Sequence, residues 1–273
     1  MLPTLITIPI SHYGERARWA LDHAAIDYDE EHHVQVFSWL AAYRKAGRKF
    51  LPVLVTEAGV LDDSAAIVRY ASERAAIPLY PDDAGARDEV LAWEARFAGA
   101  YGVETRRVCY EWTLRAGGDI FTYNAGAAPG FEVAALGGMQ PVARVFMRRY
   151  MDASPEAAAR GREVTRETMD AVAQVLADGR RYLTGDRFTA ADLTFAAMSA
   201  PALLPAEYGV PLPPLDAVPT TQRRRSASSA RTQRGSSRCG STASGRRREG
   251  ARSASSARPD RPRRERTRAR AFG

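Results

Sequence analysis

Two polar positions within the first 75 residues place an oxygen where a helix is predicted to begin. Ser11 follows the apolar strand-like run of residues 4–8, and Asp63-Ser64 precedes a helical pattern that starts at Ala65. The first N–H groups of a helix have no partner inside the helix, and the helix dipole is positive at that end. Both positions therefore predict a site that favours an anion. Serine and aspartate are also common N-cap residues, so plain capping stays open as the alternative.

A proline stands between these positions. Pro52 precedes the β-branched run that starts at Val53, and a proline cannot donate a hydrogen bond to a sheet. The Leu51-Pro52 pair therefore predicts an edge, a bulge or a cis turn.

The elements that must position these residues follow from the hydrophobic pattern. The order βαβαββα is predicted for residues 1–77, an α/β domain. Predicted strands cover residues 4–8, 28–33, 53–55 and 60–61, and predicted helices cover 14–25, 37–43 and a segment from residue 64. Residues 78–82 read as a proline-containing linker, and residues 83–219 as an all-α domain.

Three features of the second domain have a local physical cause. A helical pattern over residues 86–114 contains two glycines, which predict a bend near Gly99. Ser154 ahead of a proline predicts an N-cap. Thr189 followed three residues later by Asp192 predicts a capping box. Residues 117–138 were expected to form a loop or a broken helix, and residues 142–151 a helix.

Three segments carry a resemblance to a known family. Residues 51–54 (LPVL) and 63–67 (DSAAI) resemble the glutathione-binding half of the glutathione transferase family, and residues 182–192 resemble the segment that caps the buried helix of its C-terminal domain. The resemblance implies a thioredoxin-like domain over about residues 1–75 followed by an all-helical domain. It also implies glutathione as co-substrate and a homodimer.

Residues 11–16 (SHYGER) are similar to the family's thiol-activating motif, with Ser11 at the activating position, His12 in place of the usual proline and Gly14 where Cys, Ala or Ser often stands. The resemblance implies that Ser11 stabilises the glutathione thiolate, which attacks a small electrophile. It assigns the γ-glutamyl end to Asp63 and Ser64. The absence of cysteine from the motif excludes a Cys-x-x-Cys redox pair.

The same resemblance implies further contacts. The Val53 backbone, next to a cis Pro52, would meet the cysteinyl part of glutathione. Lys49 is the candidate for the glycine carboxylate, with a solvated surface lysine as the competing interpretation. An apolar co-substrate pocket beside Ser11 is expected from His12, Tyr13 and Trp112, with other aromatic residues as candidates: Phe121, Tyr123 and Phe131.

Other residues with potential chemistry have structural interpretations. Cys109 lies in an apolar helical stretch and is interpreted as a structural thiol. His32 and His33 point to opposite faces of a strand and are interpreted as a surface pair, and we expect no metal site. Two cysteines in the whole chain and no apolar run of membrane-spanning length favour a cytoplasmic protein without membrane attachment.

The C-terminal tail differs from the rest in charge. Residues 222–273 hold 17 arginines and three acidic residues, a formal charge of +14, so residues 1–221 carry −7 of the total +7. The composition of the tail predicts disorder. One hypothesis is that the tail is an arginine-rich arm that binds nucleic acid. We favour a reading-frame shift, because codons can be chosen for residues 222–247 whose second frame encodes an amphipathic helix.

Three functions follow. The leading prediction is a bacterial glutathione transferase, with isomerase or dehalogenase activity as enzyme alternatives inside the family. The second is a non-catalytic protein that binds glutathione, which the departures at His12 and Gly14 favour. The third is a nucleic-acid binder that acts through the tail.

Overall fold

The computed structural model describes residues 2–115 and 126–212. The N-terminal part forms seven elements in the predicted order βαβαββα. They are β1 (Thr4–Thr7), α1 (His12–His23), β2 (Asp29–His32), α2 (Phe37–Ala46), β3 (Val53–Thr56), β4 (Gly59–Leu61) and α3 (Ser64–Ser72). The predicted tail of residues 220–273, together with Phe121 and Tyr123, lies outside the described residues.

The four strands form one mixed sheet in the order β2-β1-β3-β4. Strand β1 pairs in parallel with β2 and antiparallel with β3, and β3 pairs antiparallel with β4. Leu5 and Leu54 pack toward α1 and α3, whereas Ile6 and Val53 pack toward α2. Both faces of the two central strands are therefore apolar and buried, as expected for a sheet covered by helices on both sides.

The described residues of the second part are helical. They form α4 (Ala84–Arg96), a π-helical turn (Phe97–Tyr101), α5 (Gly102–Arg115), α6 (Gly130–Gly138), α7 (Gln140–Tyr150), α8 (Pro155–Val175), a short 3₁₀ turn (Leu176–Asp178) and α9 (Ala190–Leu203). None of the described helices is both long and apolar enough to cross a bilayer. The fold class predicted from the sequence, a thioredoxin-like α/β domain followed by an all-helical domain, is confirmed.

The predicted bend between α4 and α5 has a local cause. Gly99 has φ −82° and ψ −112°, which lies outside the helical region, and the π-helical turn surrounds it. A π-turn widens the helix by one residue per turn, and such turns recur at functional sites. The backbone carbonyls of Ala98 and Gly102, in and directly after this turn, lie within hydrogen-bond distance of side chains of α1.

Local sequence signals set several element ends. Ser154 Oγ accepts from the Ala157 N–H at 3.1 Å, which confirms the predicted N-cap of α8. Thr189 and Asp192 form the predicted capping box at the start of α9. Of the stretch predicted to be a loop or a broken helix, residues 130–138 form α6, and residues 117–125 lie outside the described residues.

One hydrophobic core joins the two parts. Helix α9 packs against α1 and α4, and its buried side chains share a cluster with those of the sheet and of α3. The linker is fixed at Leu79, whose N–H donates to Ser72 Oγ at 2.8 Å and whose carbonyl accepts from Ala190 at 3.0 Å. The division into domains at residues 77 and 83 stays a prediction. The linker between them, residues 78–82, contains no helix or strand.

Candidate functional site

Ser11 lies between β1 and α1, in extended conformation with φ −72° and ψ 119°, and it is the N-cap of α1. Its Oγ accepts from the Gly14 N–H at 3.2 Å, so the capping interpretation is confirmed. A hydroxyl can donate one hydrogen bond while it accepts others. No acceptor for the Ser11 proton occurs among residues 2–115 and 126–212, so capping leaves that proton available to a ligand.

His12 is buried at 3% exposure, and its Nε2 lies 2.9 Å from the carbonyl oxygen of Gly102. Burial, together with the positive charge of Arg106, lowers the pKa of His12 to about 3. The imidazole is therefore neutral at physiological pH and donates its Nε2 proton to Gly102. It supplies no positive charge to a thiolate at Ser11, and it is too weak a base to remove a proton from a thiol.

Tyr13 and Trp112 have other surroundings. The hydroxyl of half-buried Tyr13 donates to the Ala98 carbonyl at 2.7 Å, and burial raises the pKa of Tyr13. Trp112 is buried at 6% exposure on α5. Phe131 is 69% exposed and meets Phe37 edge to face. The roles of Tyr13 and Trp112 in a substrate pocket stay predictions.

Ser64 is the first residue of α3 and the end of a buried ionic network. Its Oγ accepts from Arg16 Nη1 at 3.1 Å, and Arg16 also pairs with Glu94. The hydroxyl of Tyr80 donates to the Glu94 carboxylate, 2.9 Å from either oxygen. Arg16 is 1% and Glu94 is 4% exposed. Because Glu94 lies on α4 and Tyr80 on the linker, both domains fix the orientation of the Ser64 hydroxyl, whose own proton remains free to donate.

The other predicted glutathione contacts surround Ser64. Asp63 is exposed and caps α3, with Oδ1 accepting from the Ala65 N–H at 3.2 Å, which leaves Oδ2 open. The peptide bond that precedes Pro52 is cis, one of the three predicted outcomes. Val53 is buried on β3, and Lys49 is exposed. Their contacts with glutathione stay predictions.

A second ionic network lies under the loop before Ser11. Arg18 pairs with Glu15 at 2.7 Å and with Glu30 at 2.9 Å, and its Nη2 donates to the Pro9 carbonyl at 3.0 Å. Burial alone would raise the pKa of Glu30, but the Arg18 guanidinium and the His32 hydrogen bond outweigh it and lower that pKa to about 2. This network supports the backbone of the loop and does not touch Ser11.

The last described segment closes over the same region. The Tyr208 hydroxyl donates to the Ile10 carbonyl at 3.1 Å, and the Gly209 N–H donates to Glu15 Oε1 at 3.1 Å. Burial, with Glu15 nearby, raises the pKa of Tyr208, so the phenol stays protonated and able to donate.

A cavity of about 110 Å³ opens beside Ser11, between the end of β1, α5, α9 and the segment at Tyr208. Most of its wall is apolar, and the polar side chains include Ser11, His12 and Arg106. His12 lines it, whereas Tyr13 and Trp112 do not, and the role of His12 in a substrate pocket stays a prediction. The cavity has the composition of a small-molecule site, with a few polar groups on a hydrophobic wall.

Cys109 also lines this cavity. Burial raises the pKa of its thiol to about 11, so the sulfur stays protonated and unreactive, as expected for a structural thiol. His32 and His33 are only partly exposed, and each approaches a carboxylate, Glu30 at 3.0 Å and Glu132 at 2.7 Å. The interpretation of the two histidines as a surface pair stays a prediction, and the structure adds a carboxylate beside each ring. No cluster of three or more potential metal ligands occurs in the described part of the chain.

Sequence reasoning missed Glu94, Tyr80 and Arg106. Glu94 falls among other charged residues of α4, and nothing in its spacing separates it from a solvated face. Arg106 is followed by a second arginine, Arg107, and only the three-dimensional position of the cavity distinguishes the two.

Two family models match the chain in the same order as its domains. Residues 5–79 match the model of the glutathione S-transferase N-terminal domain, and residues 155–213 match that of the C-terminal domain. The sequence finds no match among curated proteins.

Solved structures with the same fold include several glutathione S-transferases. A glutathione S-transferase from Rhodospirillum rubrum F11 is 21% identical, with a TM-score of 0.53, and the alignment covers 86% of this chain and 90% of that one. One from Methylobacterium radiotolerans JCM 2831, in complex with glutathione sulfonate, is 19% identical, with a TM-score of 0.55 and coverage of 88% and 91%.

The β-etherase LigF from Sphingobium sp. strain SYK-6 is 14% identical, with a TM-score of 0.61 and coverage of 89% and 96%. The fold of this protein is therefore that of the glutathione S-transferases, and the two matched domains support that family.

Proposed function

We propose that this protein binds glutathione and transfers its thiolate to a small electrophile. The observation that carries the proposal is the free hydroxyl proton of Ser11, at the N-terminus of α1 and on the wall of an apolar cavity. The fold and the two domain matches support the same proposal.

Ser11 would act on the glutathione sulfur. Its hydroxyl donates a hydrogen bond to the sulfur, and the positive end of the α1 dipole favours the ionised form, which lowers the pKa of the thiol. The thiolate then attacks the electrophile, and the thiol proton passes to solvent. Neutral His12 takes no part in this charge balance and acts by holding Gly102, and hence α5, against the start of α1.

Ser64 and Asp63 would hold the γ-glutamyl end. The Ser64 hydroxyl and the N–H groups at the start of α3 donate to the α-carboxylate, while the free oxygen of Asp63 accepts from the ammonium. Val53, beside the cis Pro52, offers its backbone to the cysteinyl part, and Lys49 is the predicted partner of the glycine carboxylate. Glutathione is thus the co-substrate, and the proposed reaction uses no metal.

The wider setting follows from the family resemblance. We infer a cytoplasmic homodimer that removes reactive electrophiles, and the glutathione sulfonate bound to the Methylobacterium structure supports glutathione as ligand. The test for the dimer is sedimentation equilibrium of the full-length protein, with a single monomer mass as the contradictory result.

A second candidate is a glutathione-binding protein without transferase activity. The observation in its favour is the double role of Ser11, whose Oγ is already engaged as the cap of α1. Retention on glutathione-agarose without conjugation of 1-chloro-2,4-dinitrobenzene would select this candidate.

The test compares Ser11→Ala with Ser154→Ala, because both serines cap a helix through the N–H three residues on. Each change should cost about 1 kcal/mol of unfolding free energy. We expect only Ser11→Ala to lose turnover, by about 100-fold as for the loss of a hydrogen-bond donor to a reacting anion, with glutathione retention preserved. Equal turnover of the two variants contradicts the role of Ser11, and a wild-type protein that neither binds nor conjugates glutathione contradicts the whole proposal.

We further propose that residues 222–273 arise from a frame shift rather than from selection for nucleic-acid binding. The DNA of the source should encode an amphipathic helix in the second frame after about codon 220. A second frame without such a helix, together with salt-sensitive DNA binding lost on deletion of residues 222–273, would favour the nucleic-acid hypothesis.

A further inference from the structure

Arg106 is the charged side chain on the wall of the cavity, where the other lining residues within the described ranges are apolar or neutral. It is half-buried on α5, and it forms no ion pair or hydrogen bond with any other residue that the structure describes. Its positive charge nevertheless acts on this wall, because it contributes to the lowered pKa of His12 after the larger effect of burial.

Arg107, the next residue on α5, is an arginine whose charge is neutralised by carboxylates. Arg107 pairs with Glu104, and its Nε lies 3.6 Å from Asp152 Oδ2. It does not line the cavity. Arg106 and Arg107 therefore differ in one respect that matters for a ligand. The guanidinium of Arg107 is neutralised by carboxylates, whereas that of Arg106 lies on the cavity wall with no carboxylate of the described residues paired to it.

The neighbours of Arg106 cannot supply that anion. His12 stays neutral, and burial raises the pKa of Tyr110, so both side chains are uncharged at physiological pH. Cys109 is also protonated, with a pKa of about 11. An unpaired guanidinium beside an apolar wall is a strong site for a carboxylate, since the planar group can donate two parallel hydrogen bonds to the two oxygens.

The size of the cavity limits the rest of the ligand. Its volume of about 110 Å³ is of the same order as the roughly 150 Å³ of an apolar cavity that accepts benzene. One small ring or a short alkyl chain would fill it, and a charged group on that ligand would lie at the rim, where half-buried Arg106 stands.

We propose that the electrophile carries a carboxylate, which pairs with Arg106 while its apolar part fills the cavity beside Ser11. The proposal rests on the proposed function in calling this ligand an electrophile, but the recognition of the carboxylate does not depend on turnover. Arg106 is thus a specificity-determining residue that separates anionic from neutral substrates of the same shape.

The first test measures binding of two unreactive probes, 3-nitrobenzoate and 3-nitrobenzamide, which share a shape and differ in charge. Titration of the full-length protein, followed by NMR or calorimetry, should give at least tenfold tighter binding of the benzoate. Arg106→Gln should abolish this preference, Arg106→Lys should restore part of it, and the control Arg107→Gln should leave it unchanged. Equal affinity for the two probes, or a preference that survives Arg106→Gln, overturns the proposal.

The second test adds glutathione and a reactive pair, 4-chloro-3-nitrobenzoate and its methyl ester. The thiolate sulfur forms a bond to the ring carbon that carries chlorine, the C–Cl bond breaks, and chloride leaves. Because the ester activates the ring toward a thiolate more than the carboxylate does, each kcat/KM is divided by the rate constant of the uncatalysed reaction with glutathione. The corrected value of the wild type should be at least tenfold higher for the carboxylate, and Arg106→Gln should equalise the two corrected values without weakening retention on glutathione-agarose. A loss of that retention instead would place Arg106 at the glutathione glycine carboxylate and overturn the proposal.

The two failures are distinguishable. If the protein binds 3-nitrobenzoate more tightly than 3-nitrobenzamide but conjugates no substrate, the transferase function is refuted and the anion site is kept. Conjugation with equal corrected kcat/KM values for the acid and its ester refutes the anion site and keeps the transferase.

Discussion

At the Ser64 end of the proposed site an ionic network reaches the hydroxyl that would face the ligand, whereas at the Ser11 end a similar network stops at the backbone of Pro9. Arg16 and Glu94 orient the Ser64 side chain from both domains. Among the described residues, the Ser11 side chain is oriented only through the Gly14 N–H of its own helix. The end assigned to recognition is therefore fixed by buried charge, and the end assigned to chemistry depends on one cap and on an apolar cavity.

The difference teaches how one fold can keep its co-substrate and change its second substrate. Alterations in the cavity wall near Ser11 leave the Arg16–Glu94 network untouched, since no residue of that network lines the cavity. The reverse does not hold, because loss of the network would disturb α1, on which both Ser11 and Arg16 depend.

The largest expected effect at the Ser11 end is a loss of unfolding free energy in acid, caused by His12. The folded pKa of about 3 lies below the unfolded value of 6.5, so the unfolded chain binds more protons between these values. The unfolding free energy is therefore unaffected above pH 6.5 and falls as the pH drops toward 3, by roughly 5 kcal/mol in total. Urea unfolding at a series of pH values measures this slope.

The matched variants are His12→Gln, which keeps a donor for the Gly102 carbonyl and cannot titrate, and His23→Gln. His23 makes one hydrogen bond to a carbonyl, that of Ile77, at 2.8 Å in an exposed position. His12→Gln should flatten the acid slope and His23→Gln should retain it. An unchanged slope in His12→Gln would remove His12 as its cause.

Removal of Glu94 tests the Ser64 end. Glu94→Ala leaves Arg16 charged, buried and without its carboxylate, which should cost about 3–5 kcal/mol of unfolding free energy. Retention on glutathione-agarose should also fall, because the Ser64 hydroxyl loses its fixed orientation. Chemical denaturation and the retention assay provide the two measurements.

Two comparisons separate charge from packing. Tyr80→Phe removes only a hydrogen bond to Glu94 and should cost about 1 kcal/mol. The double variant Arg16→Met/Glu94→Leu removes both charges and should regain most of the stability without regaining glutathione retention. If the Glu94→Ala variant is as stable as the Tyr80→Phe variant, Arg16 and Glu94 are not energetically coupled.

Gly102→Ala should have the smallest effect of the three. A Cβ at this position would lie 2.6 Å from Met198 Sδ and 3.0 Å from both the Phe97 carbonyl oxygen and the Tyr13 hydroxyl. Relief of these contacts should cost about 1–3 kcal/mol and shift the start of α1 relative to α5. The control is Gly137→Ala in α6, where an added Cβ would have no atom within 4 Å. In thermal melts, Gly102→Ala should therefore have a lower melting temperature than Gly137→Ala. Equal melting temperatures would mean that α1 and α5 adapt freely.

The sequence predicted most of the elements because their signals are local. The capping box at Thr189, the cap at Ser154 and the bend at Gly99 each depend on a few neighbouring residues, and the structure confirms all three. Pro52 predicted an edge, a bulge or a cis turn, and the peptide bond before it is cis.

The site was predicted in part. Ser11, Asp63 and Ser64 could be found because the start of a helix has a recognisable pattern. Glu94 could not be found, since its role depends on Arg16, which lies 78 residues away along the chain. Arg106 could not be found either, since its role depends on the lack of a partner among the described residues. Helical periodicity contains no record of which charged residue of a helix will be buried.

The segment at Tyr208 and Gly209 forms a wall of the cavity and is tied to the N-terminal domain by two hydrogen bonds. A ligand that fills the cavity would pack against that wall and lower the frequency with which the segment detaches. The amide proton of Gly209, which donates to Glu15, would then exchange with deuterium more slowly when the cavity is occupied. A single exchange rate could therefore serve as a reporter of occupancy for compounds that the protein binds without transforming.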